Sequence, residues 1–292
     1  MMENTTLNNM FLNNIYQGDC IETMDRLYQD FGECVDLGFA DPPYNLEKSY
    51  QGYTDDRKDR EYLDWCNEWL GRYVKLLKPN GSLFVLNLPK WSTHHAVFLN
   101  NHLYLQNWIV WDALSDPRGL VMPAHYSLLH YTKQPTNFTL QIQEVVEPAN
   151  RCLRPKCIKT RGAEVHRENL TNIWHDVHRI KHKKDRDAHP CQLPEKLLER
   201  IIKLASKPGE VVFDAFMGTG TTAVVARKLG RQYLGVEKDA TYVEIANQRL
   251  ETLYIPRPSV PKAKKILSPA EIEMLQLTLF ERSPAYLTQS RP

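Results

Sequence analysis

The 292-residue sequence contains no apolar run near the ~20 residues that a helix needs to cross a bilayer. Its first residues, MMENTTLNNM, have neither the basic start nor the apolar stretch of a secretory signal peptide. Charge of one sign is not in excess either, with 37 lysines and arginines against 35 aspartates and glutamates. We therefore expect a cytoplasmic protein with no membrane partner, in which any basic surface is local.

The six cysteines are scattered and include no C-x-x-C pair, the usual signature of structural zinc. This spacing is typical of reduced thiols in a cytosolic protein, so we expect neither a disulfide framework nor a metal site. The adjacent His94 and His95 are expected to be solvated or to face a phosphate.

Strands and helices alternate along the first half of the chain. Residues 34–40 predict a short buried strand, which ends at DPPY because two successive prolines cannot continue a paired ladder. Apolar residues recur at helical spacing over 61–77. KPNG at 78–81 then predicts a turn. Further strands are predicted at 82–87 and around 107–112 and 126–132.

The same alternation returns after residue 189. It predicts, in order, a helix over 193–205, a strand over 211–216, a helix over 221–229, a strand over 232–237 and a helix over 240–252. Units of this kind are typical of a parallel sheet that helices cover on both faces.

Between these halves, residues 134–188 lose regular periodicity and become basic. From 151 to 187 the chain carries 11 lysines and arginines against five acidic residues, an excess of +6 in a protein whose formal total is +2. Clustered lysines and arginines neutralise backbone phosphates. A phosphate-binding face is the favoured interpretation, and a solvated loop region is the alternative.

A glycine turn, FMGTGT at 216–221, lies between a predicted strand and a predicted helix. Glycines there let a ligand approach backbone N–H groups at a helix N-terminus. Glu237 ends the next strand, where a carboxylate can accept hydrogen bonds from ribose hydroxyls. The third glycine of G-x-G-x-x-G is missing, which argues against a dinucleotide. Together with Asp214, the pattern favours an adenosine-type ligand.

The turn Asp41-Pro42-Pro43-Tyr44 ends another predicted strand and carries groups that could bind a ligand. This rigid turn would present a carboxylate, proline-flanked carbonyls and an aromatic ring at the carboxyl edge of the sheet, where open α/β folds bind ligands. Tyr44 can stack on a flat ring while Asp41 and the Pro42 carbonyl accept the hydrogens of an exocyclic amine. A purely structural turn is the alternative.

In combination, these motifs resemble those of the S-adenosylmethionine-dependent DNA amino-methyltransferases. DPPY, FMGTGT and the intervening HPCQLPEKLLERII carry the resemblance, which covers about 15–252. DPPY precedes FxGxG with the basic segment between them, as in the permuted beta group. The resemblance implies a Rossmann-like α/β fold with a mostly parallel, seven-stranded sheet. It also implies a catalytic domain over 1–255 with a target-recognition insertion at 134–188.

The resemblance further implies roles for individual residues. Asp41, Pro42, Pro43 and Tyr44 would form the catalytic pocket. His125 is followed by Tyr126 where many relatives have His-Glu, a departure that concerns the far wall of the target pocket. The residues assigned to S-adenosylmethionine by position are Asp19, His189, Gln192, Asp214, Phe216, Gly218, Gly220, Thr221 and Glu237.

The implied activity is transfer of a methyl group to the N6 amine of adenine in double-stranded DNA, by base flipping and direct displacement. Aspartate before PPY favours adenine, with cytosine-N4 as the alternative. Methyltransferases of RNA bases or protein glutamine that use [N/D]PPY normally carry FxGxG first, so the motif order favours DNA. Pro190-Cys191-Gln192 matches the PCQ of cytosine-C5 methyltransferases, but it precedes the glycine turn and has no Glu-Asn-Val partner. Cys191 is therefore not expected to be a nucleophile.

The last segment, 256–292, is interpreted as a linker followed by a C-terminal helix or tail. Ser268-Pro269-Ala270-Glu271 is typical of a capped helix start, for a helix that docks on the main domain or a second subunit. The segment Gln276–Phe280, QLTLF, also resembles the QLxLF peptide by which bacterial replication and repair proteins hold the sliding clamp. The clamp is thus a predicted partner. A homodimer is among the assemblies that the resemblance implies, and a DNA substrate implies association with the nucleoid.

Overall fold

The strand that leads into Asp41 lies near the middle of a sheet that has eight strands among the described residues. Numbered along the chain, the strands are β1 (Asn14–Gln17), β2 (Val35–Ala40), β3 (Lys48–Tyr50), β4 (Tyr53–Asp55), β5 (Leu77–Asn87), β6 (Tyr104–Asp112), β7 (His125–Thr132), β8 (Ile173–Trp174), β9 (Val211–Asp214) and β10 (Gln232–Glu237). The order across the sheet is β1-β10-β9-β2-β5-β7-β6-β8, and β3 and β4 form a separate hairpin.

This computed structural model describes residues 11–46, 48–50, 53–112, 125–145, 170–178 and 193–253, with the backbone alone for 48–50, 53 and 54. All of them belong to one compact unit over 1–253. Most of the predicted insertion at 134–188 and all of the predicted tail at 256–292 lie outside the described residues.

Six α-helices connect the strands within the described ranges. They are α1 (Cys20–Phe31), α2 (Asp59–Leu76), α3 (Pro89–Leu99), α4 (Glu195–Ala205), α5 (Thr221–Lys228) and α6 (Ala240–Glu251), and a short 3-10 helix covers Ile142–Glu144. None of the described helices is long and apolar enough to cross a membrane.

Strand direction places many strand ends at one edge of the sheet. β1, β10, β9, β2 and β5 run parallel to one another. β7 runs antiparallel to β5 and to β6, so β6 has the direction of β5. The carboxyl ends of these parallel strands and the start of β7 therefore meet at the same edge, which we call the carboxyl edge.

The core lies on both faces of the sheet, as the parallel pattern predicts. All six residues of β2 are buried. Leu37 and Phe39 pack with residues of α4, α5 and α6 on one face, whereas Val35 and Ala40 pack with residues of α1, α2 and α3 on the other. Because helices cover both faces of this parallel strand, β2 directs apolar side chains to both faces, unlike a strand with one face in solvent.

Three details differ from the sequence prediction. The sheet has eight strands where seven were expected, and β8 comes from the 134–188 segment, where two paired residues leave no periodic signal. KPNG does not separate α2 from a strand but lies inside β5. There the pairing with β2 moves from Val35–Leu77 directly to Leu37–Ser82. The intervening residues bulge, and a Cβ at Gly81 would lie 2.9 Å from the Lys78 carbonyl oxygen.

The prediction of solvated histidines was wrong for one of the pair. His94 is exposed, but His95 is completely buried, with its ring 5.8 Å from the ring of Trp69 in an edge-to-face contact. α3 turns His95 toward the core because consecutive helical residues point about 100° apart. Burial lowers the pKa of His95 to about 3, so the ring is neutral at physiological pH.

Candidate active site

The two predicted motifs meet at the carboxyl edge, on neighbouring strands. Asp41-Pro42-Pro43-Tyr44 follows β2, and FMGTGT follows β9. The two strands pair in parallel, with Phe39 opposite Asp214. Glu237 ends β10 on the other side of β9, and Asp19 follows β1 beyond it. Asp41 and Gly218, 177 positions apart in the chain (218 − 41), are thus brought to one crevice.

Three hydrogen bonds hold the DPPY turn: one joins two of its own side chains, and two reach its backbone from other elements. The Tyr44 hydroxyl donates to the Asp41 carboxylate. The Trp91 Nε1–H donates to the Tyr44 carbonyl oxygen at 2.8 Å, and the Tyr62 hydroxyl donates to the Pro43 carbonyl oxygen at 2.6 Å. Prolines fix φ at two positions of the turn. The carboxylate and ring are therefore presented by a rigid backbone.

The glycine turn is shaped by contacts that no larger residue allows. Gly218 and Gly220 have φ of 53° and 83°, in the left-handed region that glycine adopts without strain. A Cβ at Gly220 would lie 2.7 Å from the Cβ of Ala246 on α6. The Gly218 N–H donates to the Glu237 carboxylate at 2.8 Å, which ties the turn to the end of β10.

Aromatic rings back the start of this turn. Phe216 is partly exposed, and its ring lies 5.2 Å from the ring of Trp69 and 5.8 Å from that of Trp65, both edge-to-face. Edge-to-face contacts at these distances are favourable for aromatic pairs. The side of the crevice that Phe216 forms is consequently aromatic, which suits a heterocyclic ligand.

Two carboxyl groups of the site have raised pKa values. Asp214 is 2% exposed, and burial, with a smaller contribution from Glu237, raises its pKa to about 7. Its oxygens accept hydrogen bonds from the Thr222 hydroxyl at 2.6 Å and the Phe216 N–H at 2.9 Å. Burial also raises the pKa of Glu237 above its usual range. Asp214 thus acts inside the turn, whereas Glu237 is partly exposed at its surface.

A comparison with known protein families finds one that contains both motifs. The profile of a family described as DNA methylase, of the N6/N4 methyltransferases, matches residues 35–248 and so spans both motifs. The chain belongs to this DNA methylase family.

Curated members of the DNA methylase family are similar over most of the chain. The type II methyltransferase M.BamHI of Bacillus amyloliquefaciens is 38% identical over 251 residues, which are 82% of this chain but 57% of that protein. The DNA adenine methyltransferase YhdJ of Escherichia coli K12 is 31% identical over 251 residues, 81% of this chain and 82% of that protein. The chain thus spans little more than half the length of the M.BamHI methyltransferase.

Solved structures share the fold. The M1.HpyAVI–SAM complex is 24% identical, with a TM-score of 0.59, and the match covers 81% of this chain and 98% of that one. The PvuII cytosine-N4-specific DNA methyltransferase is 19% identical, with a TM-score of 0.62, and covers 92% of this chain and 93% of that one. A methyltransferase fold is the conclusion that these matches support.

The structure describes some of the predicted site residues but not all of them. His189 and Gln192 lie outside the described residues, as does Cys191. Asp19 is at the crevice, where its carboxylate caps α1 by accepting from the Ile21 N–H at 2.9 Å.

Burial raises the pKa of Cys20 and Cys66 to about 12, so these thiols stay protonated. The described residues contain no cluster of three or more potential metal ligands.

One residue that the sequence analysis missed links two parts of the site. Arg249, in the last turn of α6, donates to the Thr219 carbonyl oxygen at 2.7 Å and lies 3.6 Å from the Glu195 carboxylate at the start of α4. It thereby joins the glycine turn to the helix that follows HPCQLP. A basic residue in the last turn of a helix is common, so the sequence contained no specific signal for this contact.

Proposed function

We propose that this chain is a site-specific methyltransferase that transfers a methyl group from S-adenosylmethionine to the exocyclic N6 of adenine in double-stranded DNA. The observation that carries the proposal is the Asp41–Tyr44 pair at the end of β2, one strand from the glycine turn after β9. The turn presents an acceptor and an aromatic face together, which is the chemistry that recognises an aminated heterocycle.

The residues at the glycine turn fit S-adenosylmethionine. The turn has no Cβ at Gly218 or Gly220, and Phe216 offers a partly exposed aromatic ring. Glu237 accepts N–H bonds from Gly218 and Asp239, and a carboxylate has further lone pairs for ribose hydroxyls. We propose that Glu237, Phe216 and the backbone of the turn contact the cofactor, and that Asp214 and Thr221 support the turn. Asp19, His189 and Gln192 complete the proposed set.

When bound, S-adenosylmethionine would supply the methyl group from its sulfonium sulfur, which would leave as a neutral thioether, and the proton lost by the amine would pass to solvent. The chain's residues orient the amine. Asp41 and the Pro42 carbonyl accept its hydrogens, which directs the nitrogen lone pair outward, and Tyr44 stacks on the base. Tyr62 and Trp91 hold the turn in place by their bonds to Pro43 and Tyr44. Orientation supplies much of the acceleration in displacements of this kind.

Cytosine-N4 is the second candidate target, because the family covers both amines and the PvuII enzyme with this fold is cytosine-N4-specific. Adenine is favoured by aspartate before PPY and by the similarity to YhdJ, which is named an adenine methyltransferase. RNA is a weaker alternative, since the motif order is that of the DNA enzymes.

Methylation-sensitive sequencing tests the proposal. DNA is taken from cells that express the wild type, Asp41→Ala or Asp56→Ala, the last a matched loss of an exposed carboxylate outside the DPPY turn. We expect N6-methyladenine at one short motif with the wild type and Asp56→Ala and none with Asp41→Ala. N4-methylcytosine instead would overturn the base assignment, and the absence of any DNA mark would overturn the substrate class.

We further propose that the basic 134–188 segment reads the target and associates with DNA in the nucleoid.

We also propose that the chain forms a homodimer, which light scattering of the purified chain would test by measuring its mass. A monomer at micromolar concentration, with or without DNA, would remove that proposal.

The tail supports a separate proposal, that Gln276–Phe280 binds the bacterial sliding clamp and couples methylation to newly replicated DNA. It rests on the QLTLF sequence, which lies outside the described residues. In a pull-down with purified clamp, Gln276→Ala and Phe280→Ala should lose binding, whereas Gln289→Ala, a matched change nine residues beyond the peptide, should retain it. Binding that neither of the first two changes affects would dismiss the proposal.

A further inference from the structure

Tyr126, the residue at which the sequence departs from many relatives, lies beside the DPPY turn. It is the second residue of β7, which runs antiparallel to β5 and therefore begins at the carboxyl edge. Its ring centroid is 5.7 Å from that of Tyr44, with 44° between the ring planes. The two aromatic side chains come from the turn after β2 and from the start of β7, the strands on either side of β5, and they meet at the DPPY turn.

Trp111 supports the ring of Tyr126 from the neighbouring strand. The two residues are directly opposite each other in the β6–β7 ladder, and their ring centroids are 5.4 Å apart. Trp111 is 2% exposed, and its Nε1–H donates to the Val177 carbonyl oxygen at 2.7 Å. Because burial and a hydrogen bond both hold Trp111, Tyr126 rests on a ring that cannot readily move.

The hydrogen bonds of Tyr44 fix the position of its hydroxyl group and of its backbone more firmly than they fix the plane of its ring. The hydroxyl is bound to Asp41, and the carbonyl oxygen is bound to Trp91. The hydroxyl oxygen lies on the axis of χ2, so rotation of the ring about that axis keeps the oxygen in place and changes only the direction of the O–H bond toward Asp41. The χ2 torsion of tyrosine has only broad intrinsic minima. Packing against the ring therefore helps to set its plane, and the Tyr126 ring contacts it from β7.

We propose that Tyr126 is a positioning residue that sets the rotation of the Tyr44 ring and hence the plane on which the flipped target base stacks. The inference rests on the proposed function, since it concerns the same base pocket. Base–aromatic stacking depends on parallel planes, so a rotated Tyr44 ring would hold the base amine out of line for transfer. Tyr126 acts through Tyr44 and requires no contact with the base.

A double-mutant cycle tests whether Tyr126 acts through Tyr44. The variants are Tyr126→Leu, Tyr44→Leu and the double variant, with Tyr126→Phe as the conservative change that keeps the ring. Single-turnover methylation is measured on a duplex that carries the motif mapped by sequencing. We expect Tyr126→Leu to lower the rate about tenfold and Tyr126→Phe to stay within about twofold of the wild type. In the Tyr44→Leu background, Tyr126→Leu should add less than about twofold.

Two further measurements separate positioning from a general effect on the fold. Tyr126→Leu should bind S-adenosylmethionine like the wild type, and the fluorescence yield of 2-aminopurine at the target position should differ from that with the wild type, because stacking on an aromatic ring changes this yield. Tyr126→Gln replaces Tyr126→Leu if the latter does not fold. Fully additive losses in the cycle, or full activity in Tyr126→Leu, would overturn the inference. Failure of the proposed function differs from both, because the wild type itself would then leave no mark on DNA.

Discussion

Phe39 and Ala215 are joined by one buried hydroxyl group. Tyr73 on α2 donates a hydrogen bond to the Phe39 carbonyl oxygen at 2.6 Å and accepts one from the Ala215 N–H at 2.8 Å. Phe39 lies two residues before the DPPY turn, and Ala215 lies immediately before FMGTGT. A single side chain therefore sets the distance between the ends of β2 and β9. The turns that follow these strands form the proposed base site and the proposed cofactor site.

Tyr73→Phe should reduce both stability and activity. It leaves two buried backbone groups without their partner, which costs about 1–3 kcal/mol of unfolding free energy. Without this link, the two turns should also be spaced less accurately, and we expect kcat to fall about tenfold. Urea denaturation and steady-state methylation measure the two effects.

Tyr131→Phe is the matched control for this prediction. Tyr131 is also fully buried, and its hydroxyl donates to the Asn100 Oδ1 at 2.8 Å, but it lies near the end of β7, away from the carboxyl edge. We expect it to lose stability and to keep its kcat. Equal losses of activity in both variants would mean that Tyr73 contributes only to the fold.

Tyr62→Phe should lower kcat and leave cofactor binding unchanged. The Tyr62 hydroxyl donates to the Pro43 carbonyl oxygen at 2.6 Å and lies 3.2 Å from the Asn87 Nδ2 donor at the end of β5. Without it, the DPPY backbone loses a buried restraint, and we expect kcat to fall about tenfold. Calorimetry should give a Kd for S-adenosylmethionine within about twofold of the wild type. A weakened Kd with normal kcat would contradict this assignment.

Arg249→Met should weaken S-adenosylmethionine binding. The variant removes the bond from Arg249 to the Thr219 carbonyl oxygen and the contact with Glu195. A hydrogen bond from a charged group contributes about 1.5–3 kcal/mol, so we expect Kd to rise roughly tenfold or more. Arg227→Met is the control, because Arg227 donates to the Leu250 carbonyl oxygen and does not contact the glycine turn. Similar Kd values for the two variants would refute the prediction.

The stability of Asp214→Asn relative to the wild type should increase as pH rises. The pKa of Asp214 is raised from an ordinary 3.8 to about 7, so the folded state binds a proton that the unfolded state has lost. That contribution to stability is complete below about pH 4 and is lost as pH rises toward 7. Asparagine carries no charge to bury, so its melting temperature relative to the wild type should increase between pH 5 and pH 8.

Asp176→Asn provides a control of the opposite sign. Hydrogen bonds from Arg200 hold the pKa of Asp176 well below its usual range, so this carboxylate is ionised throughout the same interval. Its replacement should lower the melting temperature by a similar amount at pH 5 and pH 8. A pH-independent difference for Asp214→Asn would show that Asp214 is ionised in the folded protein over the whole range.

Much of the fold could be predicted because its signals are local. The strands at 35–40 and 232–237 and the helices at 59–76 and 240–251 lie within two residues of their predicted bounds. KPNG was misassigned because a bulge and a turn use the same residues, and only pairing with β2 on both sides of Lys78–Gly81 distinguishes them. His95 was misassigned because the direction of a side chain on α3 depends on what α3 packs against.

The chemistry proposed for the site, by contrast, was predicted from residue types in order along the chain. A carboxylate before two prolines and a tyrosine, a glycine turn and a following acidic strand end are properties of short segments, and they indicated an adenosine ligand and an amine target. Tertiary structure alone decided which side chains support that chemistry. Tyr73, Arg249 and Tyr126 reach the site from separate elements, and local periodicity contains no information about strand order, which determines these contacts.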